Sequence, residues 1–239
     1  MQLIQLIIDG VASGCIYGLV ALGFVLIYKA TETINFAQGD ILMLGAFVAF
    51  SLIGVLGMNY IVGFVLTVMI IAVFGFFLDA VVVRQIIGQP AFATVMLTIG
   101  LGFIFRGFAS IYWGTDIFSF STPFSGKITE VGGLIISYVN ISIIVGTTLL
   151  MGILFAFFSF TKIGVAMRAS SENQLAAYYM GIPVKFIFSL IWSISAGVAA
   201  IAGVLLAPIT LVDTSISLIG LKAFAAAVLG GFGSIPGAI

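Results

Sequence analysis

Along the 239-residue chain, long apolar runs alternate with short polar breaks. The first run, Leu3 to Tyr28, is interrupted only by Asp9 and lacks the basic leader and short apolar core of a cleaved signal peptide, so it reads as a retained helix. Lys29, Glu32 and Asn35 break the pattern, and Ile34 to Gly57 reads as a second span. Ile61 to Val83, Phe92 to Trp113, Leu134 to Phe160 and Phe186 to Leu211 follow. Each is long enough, at about 1.5 Å per residue, to cross about 30 Å of hydrocarbon. Gly114 to Gly133, rich in Ser, Thr, Gly and Pro, reads as a loop.

Two stretches depart from this rhythm. Between Lys222 and Gly230 the apolar run is too short to span, and Gly230, Gly231, Gly233, Ser234 and Pro236 then break any helix. Irregular backbone at membrane depth survives only when buried in protein or lining a wet cavity, so a half-helix or re-entrant turn is expected here. The other exception is a polar island, Thr161 to Lys185, which holds Lys162, Arg168, Glu172 and Lys185. It reads as one short helix: Ser170 or Ser171 as N-cap, Glu172 at the positive end of the dipole, Gly181 at the C-terminus and Pro183 as stop. Leu175, Ala176, Tyr179 and Met180 would share a face, and such a helix either docks on a partner or lies in the membrane interface.

The architecture that follows is all-α: a polytopic membrane bundle, one domain over residues 1–239, with about six full spans and a C-terminal half-helix. Gly10, Gly14 and Gly18 form a small-residue stripe suited to close helix packing, as do Ser195, Ala199, Gly203 and Ala207. Asn35, Gln38, Gly39 and Asp40 sit at the start of the second span, where Asp40 must be shallow, paired or facing a wet cavity. Arg106, on the fourth span, either snorkels to the interface or faces a translocation path. Asp79 and Arg84, five residues apart, are off the usual helical pairing distance.

Composition agrees and removes chemistries. The chain is 62% hydrophobic and 7% charged, with a mean hydropathy of +1.36 and no net charge. Cys15 alone cannot form an intrachain disulfide, and the absence of histidine excludes most zinc sites and the Ser-His and Cys-His nucleophile systems. Gly126-Lys127 is followed by Ile128 rather than Ser or Thr, so no phosphate loop is present and no ATP site is expected on this chain. An ion-coupled secondary transporter of a small neutral or zwitterionic solute remains open, with only Asp40 and Asp79 to serve it, as does a Ser-Lys hydrolase. Placing the island inside puts Lys29, Arg84, Lys162, Arg168 and Lys185 on the cytoplasmic side against Lys127 outside.

Four stretches resemble the permease subunits of bacterial ATP-driven branched-chain amino-acid importers, the H-type permease above all. They are Gly18 to Gly23 (GLVALG); Ile34 to Asp40 (INFAQGD); Gly164 to Ala169 with Ala176-Ala177 and Met180-Gly181-Ile182; and Lys222 to Gly237, ending in GSIPG. The resemblance implies a non-enzymatic permease for branched-chain or related amino acids in the bacterial inner membrane. It further implies two ATP-binding partner subunits that hold the ATP and magnesium, a second permease subunit and a periplasmic substrate-binding protein, with no metal, cofactor or nucleic acid on this chain. The 161–185 segment would be the ATPase-coupling element, through Arg168, Ser171, Glu172, Asn173, Ala176, Ala177, Met180 and Gly181. Asn35, Gln38, Gly39, Asp40, Arg106 and the Gly230–Pro236 turn would lie near the pathway. After the third span the family often has a more basic stretch with Arg-Pro; only Arg84 stands here. Family members usually carry further spans beyond the position of Ile239, so a C-terminally truncated chain is expected.

Overall fold

A computed structural model describes residues 2–86, 89–131 and 134–232. Helix α1 covers Gln2–Thr31; α2 covers Gln38–Ala49 and continues as a π-helical stretch, Phe50–Val55. Helix α3, Tyr60–Val81, ends in a 3-10 turn, Val83–Ile86, before α4, Ala91–Tyr112. Strands β1, Ile128–Val131, and β2, Leu134–Ser137, pair antiparallel, Ile128 opposite Ser137. Then come α5, Tyr138–Phe160; α6, Lys162–Glu172; α7, Gln174–Tyr179; and α8, Val184–Leu206. A 3-10 turn, Thr214–Leu218, leads into α9, Ile219–Gly230.

Local chemistry sets the starts. Asn59 Oδ1 accepts from the Ile61 N–H and Ser137 Oγ from the Val139 N–H, capping α3 and α5. Pro90 and Pro183 precede α4 and α8, where a missing N–H costs no intrahelical bond.

Among the described residues, six helical spans are long and apolar enough to cross a membrane. Helix α8 is the centre, buried over most of its length and packed on α1, α2 and α3. On α3, α4 and α5, large apolar side chains such as Met69, Phe103 and Leu149 point outward, so these helices are apolar on both faces, as lipid requires. The chain is a multi-pass membrane protein.

The second span begins later than its apolar pattern suggests. Residues 34–37 are not helical, because Asn35 Oδ1 takes the Ala37 N–H at 3.1 Å and Thr98 Oγ1 takes the Phe36 N–H at 3.2 Å. These bonds satisfy backbone that cannot reach water. Gln38 contacts Ser195, midway along α8, so α2 starts near mid-depth. The expected loop carries a hairpin, and the first four residues of the expected fifth span, Leu134 to Ser137, are its second strand. The expected C-terminal half-helix is α9.

The glycine stripe on α1 does not pack within this chain. A Cβ at Gly10 or Gly14 would meet nothing within 4 Å, and one at Gly18 only the Met151 methyl at 3.8 Å. The close crossings belong to α2 instead. A Cβ at Gly203 would run into the Leu42 carbonyl and lie 3.1 Å from the Ala46 nitrogen; one at Gly45 would lie 2.7 Å from Ala200 Cα. At the end of the bundle opposite the basic residues, Phe47 stacks on Trp113 at 5.0 Å, Trp113 Nε1 donates to Ser51 Oγ at 2.7 Å, and Phe50 stacks on Phe118 at 4.6 Å. Phe118 also exchanges backbone hydrogen bonds with Val212, fastening the loop after α4 to the segment after α8.

Candidate functional site

Three groups of residues carry polarity into the bundle. The first is a closed network at the start of α2. Asn35 Nδ2 donates to Gln38 Oε1 at 3.2 Å, Gln38 Nε2 donates to the Ser195 carbonyl at 3.2 Å, and Ser195 Oγ lies 2.9 Å from the Gly23 carbonyl and 3.2 Å from Gln38 Oε1. All three side chains are fully buried, so they bridge α1, α2 and α8 rather than line an open path. Gly23 is required for this, since a Cβ there would overlap the Gln38 amide. Sequence reading placed Ser195 only in a packing stripe and gave no sign of its bonds.

The second is an ion pair. Arg106 Nε donates to Asp40 Oδ1 at 2.6 Å and Arg106 Nη2 to Oδ2 at 3.4 Å, a two-pronged grip on a carboxylate that is 2% exposed. Of the choices open to Asp40, pairing is realised. Gly102, one turn before Arg106, leaves room for the carboxylate, which a Cβ would overlap. Arg106 stays 40% exposed and lies 5.5 Å from the Phe103 ring, so its outer side faces whatever covers α4. Gly39 closes the same region: a Cβ on it would strike the Ser217 carbonyl and approach Gly220 Cα to 2.9 Å. The half-helix α9 thus crosses α2 backbone to backbone.

The third group lies at the basic end. Arg84 Nη2 donates to Ser189 Oγ at 2.5 Å and to the Lys185 carbonyl at 2.9 Å, while Ser189 Oγ donates to Asp79 Oδ2 at 2.6 Å. Arg84 Nη2 is 3.6 Å from the same Asp79 oxygen. On a continuous helix residues five apart point away from each other; here the α-helix ends at Val81 and the 3-10 turn swings Arg84 back over Asp79. Beside this junction is a cavity of about 160 Å³ lined by Thr31, Thr33, Asp79, Gln89, Thr94 and Gln174 on its polar side and by Val83, Ile86 and Phe188 on its apolar side. No spacing in the sequence joins these nine residues, which come from α1 and its following loop, α3 and its 3-10 turn, the segment before α4, α4, α7 and α8.

The polar island differs from the single helix expected. Thr161 Oγ1 accepts from the Gly164 N–H at 3.0 Å and starts α6, so Ser170, Ser171 and Glu172 form its last turn rather than an N-terminus. Ser171 Oγ donates back to the Arg168 carbonyl, and Arg168 Nη2 donates to the Phe158 carbonyl. The N-cap of α7 is Asn173, whose Oδ1 accepts from the Ala176 N–H at 2.9 Å. Gly181 ends the turn at φ +81°, a conformation that suits glycine. Ala177 is buried at 4% exposure, whereas Leu175, Tyr178, Tyr179 and Met180 are exposed; Ala176 is exposed beside them. Asn173→Ala should therefore loosen α7 by about 1 kcal/mol, and its amides should exchange roughly fivefold faster in hydrogen exchange. Asn173→Asp, which keeps the acceptor, should exchange as the unmodified protein does.

At the C-terminal turn, α9 ends at Gly230, and Gly231 takes φ +84°. Gly233, Ser234 and Pro236 lie outside the described residues.

Known proteins sharpen this picture. The family described as branched-chain amino acid transport system / permease component has a model that matches residues 6–239. The high-affinity branched-chain amino acid transport system permease protein BraD of Pseudomonas aeruginosa is 31% identical over 250 residues, covering 99% of this chain and 81% of that protein. The corresponding protein LivH of Escherichia coli K12 is 31% identical over 253 residues, covering 100% and 82%. A probable branched-chain amino acid transport permease protein LivH of Methanocaldococcus jannaschii is 29% identical over 92% of this chain and 72% of its own. No solved structure matches.

Proposed function

This chain belongs to the branched-chain amino acid transport permease family, and we propose that it is the membrane subunit of an ATP-binding-cassette importer that carries branched-chain or related amino acids inward. ATP and magnesium are held by two partner ATPase subunits. A second permease subunit completes the pore, and a substrate-binding protein delivers from outside. The basic end, with Lys29, Arg84, Lys162, Arg168 and Lys185, faces the cytoplasm of a bacterial inner membrane.

The observation that carries this reading is the α6–α7 elbow. Leu175, Tyr178, Tyr179 and Met180, at 67–83% exposure, form an aromatic and apolar tip on the most polar stretch of the chain. Such a cluster off the lipid-facing helices suits a protein cleft, where aromatic anchors carry most of the binding energy. The elbow is mechanically tied in. Ala177 seats α7 on the bundle, and Gly181 with Pro183 leads straight into α8, the central helix that carries Ser195. A push on α7 therefore tilts α8, which pulls on Gln38 through Ser195 and shifts α2 against α9. Asn35, Gln38, Gly39, Asp40 and Arg106 form the polar seam that opens in that motion; here the seam is shut.

The test is affinity purification of the intact complex from membranes in mild detergent, with the unmodified chain set against Ala176→Arg. Two ATPase subunits and a second permease should co-purify with the former and be lost with the latter, while the melting temperature of the chain changes little. A chain that comes down alone or as a homo-oligomer in both preparations would overturn the importer reading, and an ion-coupled transporter would take its place.

A further inference from the structure

Of the eight basic residues, five lie at the basic end and Lys127 in the opposite loop, which leaves Arg106 and Lys222 between. Contacts fix the depth of Lys222. Gln38 bonds to Ser195, the middle residue of the 23-residue α8, and its neighbour Gly39 meets Gly220 backbone to backbone. Lys222 stands two residues further into α9. From there α9 runs toward the basic end, with Phe224 against Phe24 and Phe232 against Tyr28 of α1. Lys222 therefore lies within a turn of mid-depth. Phe24 is itself seven residues from the end of α1 at Thr31, about 10 Å at 1.5 Å per residue, beyond the reach of a four-carbon stem.

The two cations differ in what answers them. Arg106 is neutralised by Asp40, the residue after Gly39. Lys222 has no ion pair among the described residues, and Asp40, the acid at its depth, is taken. Its side chain is exposed, on the face of α9 that also shows Ala225 and Leu229, while Gly220, Ala223 and Ala227 turn inward. An ammonium facing hydrocarbon at that depth is costly, so this face meets water or protein. Transporters hold their solute near the midplane against broken helices, and α9 is one, entered through the 3-10 turn Thr214–Leu218.

We propose that Lys222 receives the carboxylate of the transported amino acid at mid-depth, and that the Lys222–Ala225–Leu229 face of α9 lines the pore; the proposal rests on the importer reading above. An ammonium donates three hydrogen bonds and accepts none, so it selects an anionic group. Below it, Ala225 and Leu229 offer an apolar wall to the solute's side chain. The site is also joined to the seam. Gly220 is pinned on Gly39, so a shift of α2 carries Lys222 with it.

The experiment is thiol labelling of Ala225→Cys in a Cys15→Ala background, on the assembled complex in lipid nanodiscs, read by the mass of this chain. The reagents are the anionic 2-sulfonatoethyl and the cationic 2-(trimethylammonio)ethyl methanethiosulfonates, each rate taken relative to a free thiol in solution. The anionic reagent should label about fivefold faster, the effect of one nearby charge in water. Lys222→Met should abolish that preference, and Lys222→Arg should keep it. L-leucine and 4-methylpentanoate, which keeps only the carboxylate, should slow the labelling; 3-methylbutylamine, which lacks the carboxylate, should not. No labelling by either reagent would mean that lipid or a neighbouring chain covers the face. Equal protection by the amine would mean that the carboxylate is not read, and a preference that survives Lys222→Met would place the charge elsewhere. Each of these overturns the proposal. Should Ala225→Cys fail to assemble, ATP-driven leucine uptake by proteoliposomes decides: Lys222→Met should lower it about tenfold with the partner subunits still co-purifying, and Lys222→Arg should restore most of it. Loss of a partner subunit from Lys222→Met would make Lys222 an interface residue instead and overturn the proposal. Uptake by the unmodified complex separates the two readings. Uptake with position 225 unprotected removes this subsite and leaves the importer; no uptake removes the importer.

Discussion

Arg106→Ala is expected to destabilise the bundle by about 3–5 kcal/mol, whereas Asp40→Asn should cost less, about 2–3 kcal/mol. The asymmetry follows from exposure. Asp40 is 2% exposed and would be left as an uncompensated buried charge, while Arg106, at 40%, can turn its guanidinium outward when its partner goes. For a chain of this size the larger loss corresponds to a fall in melting temperature of roughly 10 °C. Asp40→Asn combined with Arg106→Gln should recover most of it, because both charges leave together and an amide pair can keep one hydrogen bond. Thermal melts in one detergent of the unmodified protein, Asp40→Asn, Arg106→Gln and their combination decide the matter through the double-mutant coupling. A coupling near zero would mean that Arg106 owes nothing to Asp40 and stands on α4 for another reason.

How much of this was legible beforehand differs by kind of signal. Apolar runs are long-range averages, so all six spans and the half-helix α9 were readable within a few residues. The cap of α7 was misplaced because Ser170, Ser171 and Asn173 are all good N-caps and lie within one turn. What chose Asn173 was the start of α6 at Thr161, whose hydroxyl takes the Gly164 N–H and carries the earlier helix as far as Glu172. Pairings between distant residues left no local trace. Asp40 and Arg106 are 66 residues apart, and Gln38 and Ser195 are 157 apart. Gln38, Asp40 and Arg106 looked anomalous alone and Ser195 did not, and only the fold says which residue answers which. Gly23 and Gly102 are the same lesson in reverse. Unremarkable in an apolar run, each is the hole into which a polar side chain from another helix fits. The α1 stripe shows that regular spacing of small residues marks a possible crossing, not the helix that uses it.

The second large effect is steric and sits at the seam itself. Gly39→Ala places a methyl group against the Ser217 carbonyl and 2.9 Å from Gly220 Cα, and Gly220→Ala places one 2.7 Å from Gly39 Cα. Both obstacles are backbone, with no flexible side-chain end to yield, so α2 and α9 must separate. The cost should reach about 3 kcal/mol, the upper end for added methylenes in a packed core. It should also be local. With α9 lifted, Phe224 loses its contacts with Phe24 and Phe36, at 5.7 and 5.3 Å between ring centres, and Phe232 loses Tyr28 at 4.7 Å. Hydrogen exchange should consequently rise across α9 and the start of α2 before it rises in α3 or α8. Gly14→Ala is the control: its Cβ meets nothing, and a helix interior gains about 1 kcal/mol on exchanging glycine for alanine, so its melting temperature should stay level or climb. If Gly39→Ala and Gly14→Ala melt alike, the tight crossing of α2 and α9 is not what holds the seam shut, and the route proposed from α7 through α8 to α2 loses its last link.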